Sequence, residues 1–338
     1  MQAKLKLLLV FLSIFSVKFV NGQDIHFSQY YNSPLSLNPS QTGNFEGDWR
    51  AFVNYRDQWR GLAYPFKTIS AGYDQKLNIQ KHDIGVGGYV FYDNSGLFLT
   101  CAQVYLSGSY HKRLNENDFY GGIQVGYVRK SINYDKISFP DDYKPDENIF
   151  DPGYNTTDNG KSQLSYIDAN IGIGWSRKIR KLEPEVGLSF FHINQPTESF
   201  ESTSSSNKLA MRSAFFASVK TELNPTLYIK PSVLLYMMRG SRNMMIGGQA
   251  GHTVQGNRLN VREVYGGLYL RNGLADPADA IIVMFGAQIR KITVNISYDL
   301  NVSSMRAYTN YRGAFELSLI FKSITTVIKT FTIPCERM

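Results

Sequence analysis

Apolar and polar residues alternate with a period of two along most of this 338-residue chain. From Ile167 to Ser176 every odd position is apolar and every even position is polar or glycine. A strand with that pattern has one face suited to oil and one suited to water. The same alternation sets Ile123, Val125 and Tyr127 against Gly122, Gln124 and Gly126, and Val186, Leu188 and Phe190 against Glu185, Gly187 and Ser189. Near the end of the chain it sets Phe315, Leu317, Leu319 and Phe321 against Ala314, Glu316 and Ser318. No long segment carries helical spacing. The pattern predicts about 14 strands, near 49–56, 67–77, 83–92, 100–112, 118–130, 165–178, 182–193, 211–223, 226–238, 243–253, 262–270, 279–290, 291–299 and 313–321.

The connections alternate as well. Those after even-numbered strands are mostly short: Leu77–His82, Leu114–Asn117, Arg180–Leu182, Asn224–Pro225 and a break at Arg290–Lys291. Those after odd-numbered strands are mostly longer, the largest being Ser131–Leu164 and Asn194–Ala210. An even number of strands of roughly 9–13 residues, with short turns at one end and long loops at the other, predicts an all-β outer-membrane barrel with antiparallel strands. A soluble β-sandwich or propeller shares the alternation, because one face of an antiparallel sheet is often solvated. It leaves the loop rhythm unexplained, and the repeats of about 40–50 residues that a propeller needs are not present.

Composition adds detail. Aromatic residues make up 14% of the chain, as 22 Tyr, 21 Phe and 3 Trp, which suits strands that turn aromatic side chains outward. A mean hydropathy of −0.25 argues against a bundle of membrane-spanning helices. Residues 1–22 read as a secretory signal: Lys4 and Lys6 precede the apolar run Leu7–Phe15, and Val20 and Gly22 suit cleavage before Gln23. That run is too short to span a bilayer. Three lysines (Lys4, Lys6, Lys18) leave with it from a formal net charge of +8. The remainder is mildly basic and holds no dense Lys/Arg cluster of the kind that binds nucleic acid. Cys101 and Cys335 are too few for a disulfide framework, and Cys101 is expected as a free buried thiol.

Little in the sequence suggests catalysis. His26, His82, His111, His192 and His252 stand singly, without a second ligand at metal spacing. Ser189 and His192 lie three apart on one strand and so on opposite faces, which fails the geometry of a nucleophile and its base. The acidic stretch with Asp141, Asp142, Asp146, Glu147, Asp151 and Asp158 lacks calcium-loop spacing and reads as a solvated loop. Glycine runs at Gly85–Gly88 and Gly172–Gly174 precede no helix, so they are expected as small inward positions of a barrel wall rather than phosphate cradles. No enzymatic activity, metal or cofactor is expected. In Tyr55–Arg60, two arginines flank Trp59, which suits either an aromatic anchor for a partner or a tryptophan at the membrane interface.

The stretch Gln23–Gly43 is amide-rich, aromatic and broken by proline. It resembles the mature start of the PorP/SprF family of type IX secretion outer-membrane proteins, in Gln23, Asp24, Phe27, Ser28, Gln29, Tyr30, Ser33, Pro34, Leu35, Leu37, Asn38, Pro39 and Gly43. Tyr55, Arg56, Gln58, Trp59, Pro65 and Thr68 meet a second motif of that family. The closing strand FELSLIF and the tail with Ile333–Pro334–Cys335 are two further points of likeness. Ile25 stands where the family favours proline, and the tail ends CERM rather than CPR plus an aromatic residue.

The resemblance implies a non-enzymatic barrel that supports export or surface anchoring of a large secreted partner through that partner's C-terminal domain. It also implies contact with other components of the secretion machine. The expected organisation is a signal at 1–22, a plug or periplasmic segment at 23–48, the barrel at 49–321 and a periplasmic tail at 322–338. The 23–48 segment is too polar for lipid. It is therefore expected in the lumen or across the periplasmic mouth, with Phe27, Gln29, Tyr30, Asn32, Pro34, Asn38 and Pro39 as its plug residues. Gln29, Asn32 and Asn38 would bond to the wall, and Pro34 and Pro39 would fix turns. Arg56, Trp59 and Arg60 are expected at the outer end of the first strand, facing the partner. A passive porin with a polar lumen is the competing reading.

Overall fold

The computed structural model describes residues 24, 26–61, 64–80, 82–134, 137, 142–151, 161–200, 207–239, 241–254, 260–272, 278–304 and 306–323. The signal, the cleavage point, Asp141, Asp158 and the tail with Cys335 lie outside them.

Among the described residues, fourteen strands form one closed antiparallel barrel. They are β1 (Trp49–Gln58), β2 (Phe66–Ile79), β3 (His82–Ser95), β4 (Leu99–Leu114), β5 (Asn117–Ile132), β6 (Gln163–Arg177) and β7 (Leu182–Phe191). The second half comprises β8 (Arg212–Glu222), β9 (Leu227–Met238), β10 (Ser241–Thr253), β11 (Val261–Asn272), β12 (Ala278–Ile289), β13 (Ile292–Asn301) and β14 (Arg312–Lys322). Every strand pairs with its sequence neighbours. The sheet closes where β1 meets β14, in a register running from Arg50 opposite Lys322 to Gln58 opposite Ala314. Tight turns gather at one end of the barrel, while the long connections after β5 and β7 leave from the other. In barrels of this architecture the long loops face outward.

The two faces are reversed relative to a soluble protein. Outward residues are apolar and exposed: Leu106 at 72%, Phe285 at 67%, Ile123 at 66% and Ile173 at 62%. Inward residues on the alternate phase are polar and buried, among them Asn54, Ser70, Asp74, Gln124, Asp168, Asn170, Ser189, Asn295, Asp299 and Glu316. An exposed apolar belt around a closed sheet is stable only in lipid. Aromatic pairs mark its edges. Trp49 stacks on Tyr73 at the turn end, with centroids 6.2 Å apart, and Trp59 packs edge-on against Phe66 at the loop end, at 5.1 Å.

Ahead of β1, the chain runs inside the barrel. It folds into a 3-10 turn (Tyr30–Asn32), one α-helical turn (Pro34–Leu37) and another 3-10 turn (Pro39–Gln41). Pro34 and Pro39 each stand at a helical first position, where a missing N–H costs nothing. The Asn38 side chain caps the last turn by accepting from the Ser40 N–H at 2.9 Å. Asp24 lies against His192 and Arg212, just beyond or at the loop-end termini of β7 and β8. The Asp48 N–H donates to Ser323 Oγ at 2.6 Å, just past the turn-end terminus of β14. The segment thus crosses the whole lumen rather than lying over the turn-end mouth. Below it a cavity of about 640 Å³ opens at the turn end.

Candidate functional site

Four layers of contacts hold the lumen segment. At the loop end, Asp24 accepts from His192 Nε2 at 2.7 Å and pairs with Arg212 at 3.3 Å. The other ring nitrogen of His192 meets Asp168 at 2.9 Å. Arg212 lies over the Phe191 ring at 4.1 Å and the Tyr236 ring at 5.2 Å. Burial works against the His192 charge, but Asp24 and Asp168 outweigh it and raise the imidazole to about 9. Burial would raise the Asp24 carboxyl, yet Arg212 and His192 hold it well below the usual carboxylate range. His26, two residues on, is pushed the other way: burial, Arg271 and Arg56 lower it to about 4. Histidine charge at this end therefore resides on His192.

One step deeper, Glu316 of β14 accepts from the backbone N–H of Ser28 at 2.7 Å and of Gln29 at 2.8 Å. Arg56 of β1 pairs with Glu316 and reaches Asp299 of β13 at 3.2 Å. Arg271 of β11 meets the same Asp299 oxygen at 2.9 Å and donates to Ser28 Oγ at 2.9 Å. Two arginines and two carboxylates thus meet across four strands around the first turn of the segment. All four are buried, so each charge depends on its partners rather than on water. Gln29 adds a bond from Nε2 to Ser297 Oγ at 2.9 Å.

The middle layer is apolar. Phe27 and Leu35 pack with Phe52, Tyr89, Phe91, Tyr105 and Val128 of the wall. Tyr30 and Leu37 pack with Phe216, Leu234, Met245, Tyr269 and Met284. Towards the turn end, Asn38 donates to the carbonyls of Ile173 at 3.0 Å and Leu188 at 3.3 Å. Ser109 Oγ donates to the Thr42 carbonyl at 2.6 Å, and the Gly43 N–H donates to Asp74 at 2.8 Å. Gly43 has φ +71°, and a Cβ there would stand 2.8 Å from Gly85 Cα. The wall is carved to match. A Cβ on Gly172 would come within 1.9 Å of Asn38, and one on Gly122 within 2.5 Å of Pro39.

Phe27, Gln29, Tyr30, Asn32, Pro34, Asn38 and Pro39 are all buried within the lumen. Gln29 and Asn38 bond to the wall as described. Asn32 does not: its amide donates to the Gln29 side chain at 2.7 Å, bracing the segment internally.

The three residues expected to face outward separate. Arg56 does not reach an outer surface, because it shares the inward phase of β1 with Phe52 and Asn54 and supplies the cation that Glu316 and Asp299 require. Trp59 is half-buried against Phe66, with φ +58° and its N–H bonded to the Gly313 carbonyl at 2.7 Å. Arg60 alone of the three is exposed, donating from Nε to Asp57 at 2.6 Å. Ser189 donates to the Leu37 carbonyl at 2.9 Å rather than serving His192.

Sequence reasoning did not pick out Asp168, Arg212, Arg271, Asp299 and Glu316 as site residues. Their signal was present, since each carries a charge on the polar phase of a spanning strand. Such a charge, on the inward phase, implies a partner inside the barrel.

The family model of the type IX secretion system membrane protein PorP/SprF matches residues 19–321. The chain belongs to this family. A search of curated proteins finds no match. Among solved structures, the Pseudomonas putida toluene transporter TodX is similar at 10% identity and a TM-score of 0.51, covering 88% of this chain and 93% of its own. A deltaS2S3 mutant of the TodX monoaromatic hydrocarbon channel gives 9% identity and a TM-score of 0.52, covering 86% and 93%. At that identity the likeness shows the barrel fold alone. This PorP/SprF protein is thus an outer-membrane barrel of the type IX secretion system whose lumen is crossed by the segment ahead of β1.

Proposed function

We propose that this barrel is a non-enzymatic, non-conducting seat at the cell surface, which supports export or anchoring of a large secreted protein through that protein's C-terminal domain. The observation that carries this reading is the lumen segment, tied at the loop end through Asp24, in the middle through Ser28 and Gln29, and at the turn end through Gly43. A solute channel needs an aqueous path, and the lumen segment stands across that path above the turn-end cavity. The surface left for a partner is the loop end, to which the described residues 142–151 and 192–200 belong. Cleavage of a signal ahead of residue 23 and delivery through the general export pathway belong to the same proposal.

Two measurements test it. In planar bilayers the purified barrel is expected to be silent, and a large steady open-channel current would favour the porin reading. Crosslinking in outer membranes is expected to recover a large secreted protein on the loop-end surface. Recovery of none, from cells that secrete such proteins, would overturn the anchoring role.

A further inference from the structure

On the outward face of the wall, at the loop end of β13, β14 and β1, lies a recess of about 300 Å³ lined by Asp57, Arg60, Tyr298, Arg312, Gly313, Ala314 and Phe315. Phe315 stands opposite Tyr298 on one side and Asp57 on the other, and Asp57 stands opposite Lys67 of β2. These residues share the phase of the lipid belt: Val53, Ile69 and Ile296, nearer mid-strand, are 39%, 47% and 46% exposed. The recess therefore sits just beyond the outer rim of that belt. Lipid headgroups lie at that level.

Its charge is one-sided. The Asp57 carboxylate is buried and grips Arg60 by Nε, while the Arg60 side chain as a whole is 67% exposed. Among the described residues no other partner engages Arg60, and none engages Arg312. Lys67 adds a third exposed cation beside them. One carboxylate, committed to orienting Arg60, thus stands against three cations, with Tyr298 and Phe315 as apolar walls. A guanidinium offers paired N–H donors that fit a phosphate's oxygens, and the match strengthens where water is scarce.

We propose that this recess binds the phosphate of an outer-leaflet lipid, with Arg60 and Arg312 as the donors and the acyl chains lying along the Val53–Ile296 belt. Arg60 then faces lipid rather than secreted cargo. The proposal rests on the barrel's place in the membrane and not on the anchoring role.

The test uses the full-length barrel in detergent, with diphosphorylated lipid A, its dephosphorylated counterpart and inorganic phosphate as probes. Native mass spectrometry would count bound lipid, and heat-modifiable gel mobility would verify folding. Retention of the diphosphorylated lipid is expected, with about tenfold weaker retention in Arg60→Gln and in Arg312→Gln, the scale of one charge-assisted hydrogen bond. Arg60→Lys is expected to fall between. Equal retention of both lipids, an unchanged signal in both glutamine variants, or full displacement by millimolar inorganic phosphate would overturn the assignment. Because Arg60 is exposed, its variant folds and keeps the test decisive even if Arg312→Gln misfolds.

Discussion

Replacing Glu316 by alanine attacks the lumen segment at its most heavily used acceptor. The carboxylate receives the Ser28 and Gln29 N–H groups and the Arg56 guanidinium, all buried. Breaking a buried ion pair by removing one partner costs about 3–5 kcal/mol, and each orphaned buried N–H about 1–3 kcal/mol. Asp299 remains to hold Arg56, and water can enter the space left behind, so the loss falls somewhat below the sum of the lower bounds. About 4 kcal/mol corresponds to roughly a thousandfold shift in the local opening equilibrium. The β1–β14 backbone ladder does not depend on this side chain, so the loss falls on the segment. Amide hydrogen exchange followed by mass spectrometry measures it: peptides covering 28–33 should exchange about a thousandfold faster, while strand peptides stay protected. If the 28–33 amides keep their protection, or if the strands open together with them, the reasoning fails.

Alanine at Gly172 should push Asn38 out of its niche and cost about 1–3 kcal/mol as an overpacked contact. Brief current openings in a planar bilayer would report it, and unbroken silence would count against a tight fit. Asn38→Ala removes two wall bonds and one cap, so a drop of about 1–3 kcal/mol in urea stability is expected. The loop-end clasp should depend on pH. His192 is raised above its ordinary value to about 9, so its stabilisation is complete below about 6.5 and is lost as pH climbs through 9. Asp24 is lowered, so its share persists above the usual carboxylate range and fades only in strong acid. Protease sensitivity of the segment's first residues should therefore stay flat from pH 5 to about 6.5, rise between about 6.5 and 9 and level off above that, and His192→Gln should remove that alkaline step.

The strands were legible because alternation is a local signal. Ile167–Ser176 declares its two faces within ten residues, and β6 forms there. Which face met lipid followed from the loop rhythm rather than from the pattern itself. The lumen site was legible only in part. Phe27, Gln29 and Asn38 could be picked out because such a segment has no other place to satisfy its amides. Arg56 could not be placed, since an inward charge and a solvent-facing charge alternate identically. The cation–carboxylate cluster joins residues as far apart as Arg56 and Glu316, 260 positions along the chain, and no short-range pattern encodes that meeting. His192 stood alone in sequence for the same reason, because both of its carboxylates come from elsewhere.

The clasp at Glu316 also bears on how the molecule is made. Ser28 and Gln29 belong to the earliest part of the described chain and Glu316 to its last strand, a separation of 288 and 287 residues. Arg56 reaches Glu316 across the very seam where the sheet closes. Until β14 docks, the segment has no acceptor for those two N–H groups and Arg56 lacks half of its counter-charge. Full seating of the segment therefore waits on closure of the wall, and a barrel that closes out of register leaves buried charge unanswered. The first residues through the lumen act as an inspector of the final strand, admitting to the stable state only a barrel that has closed correctly around them.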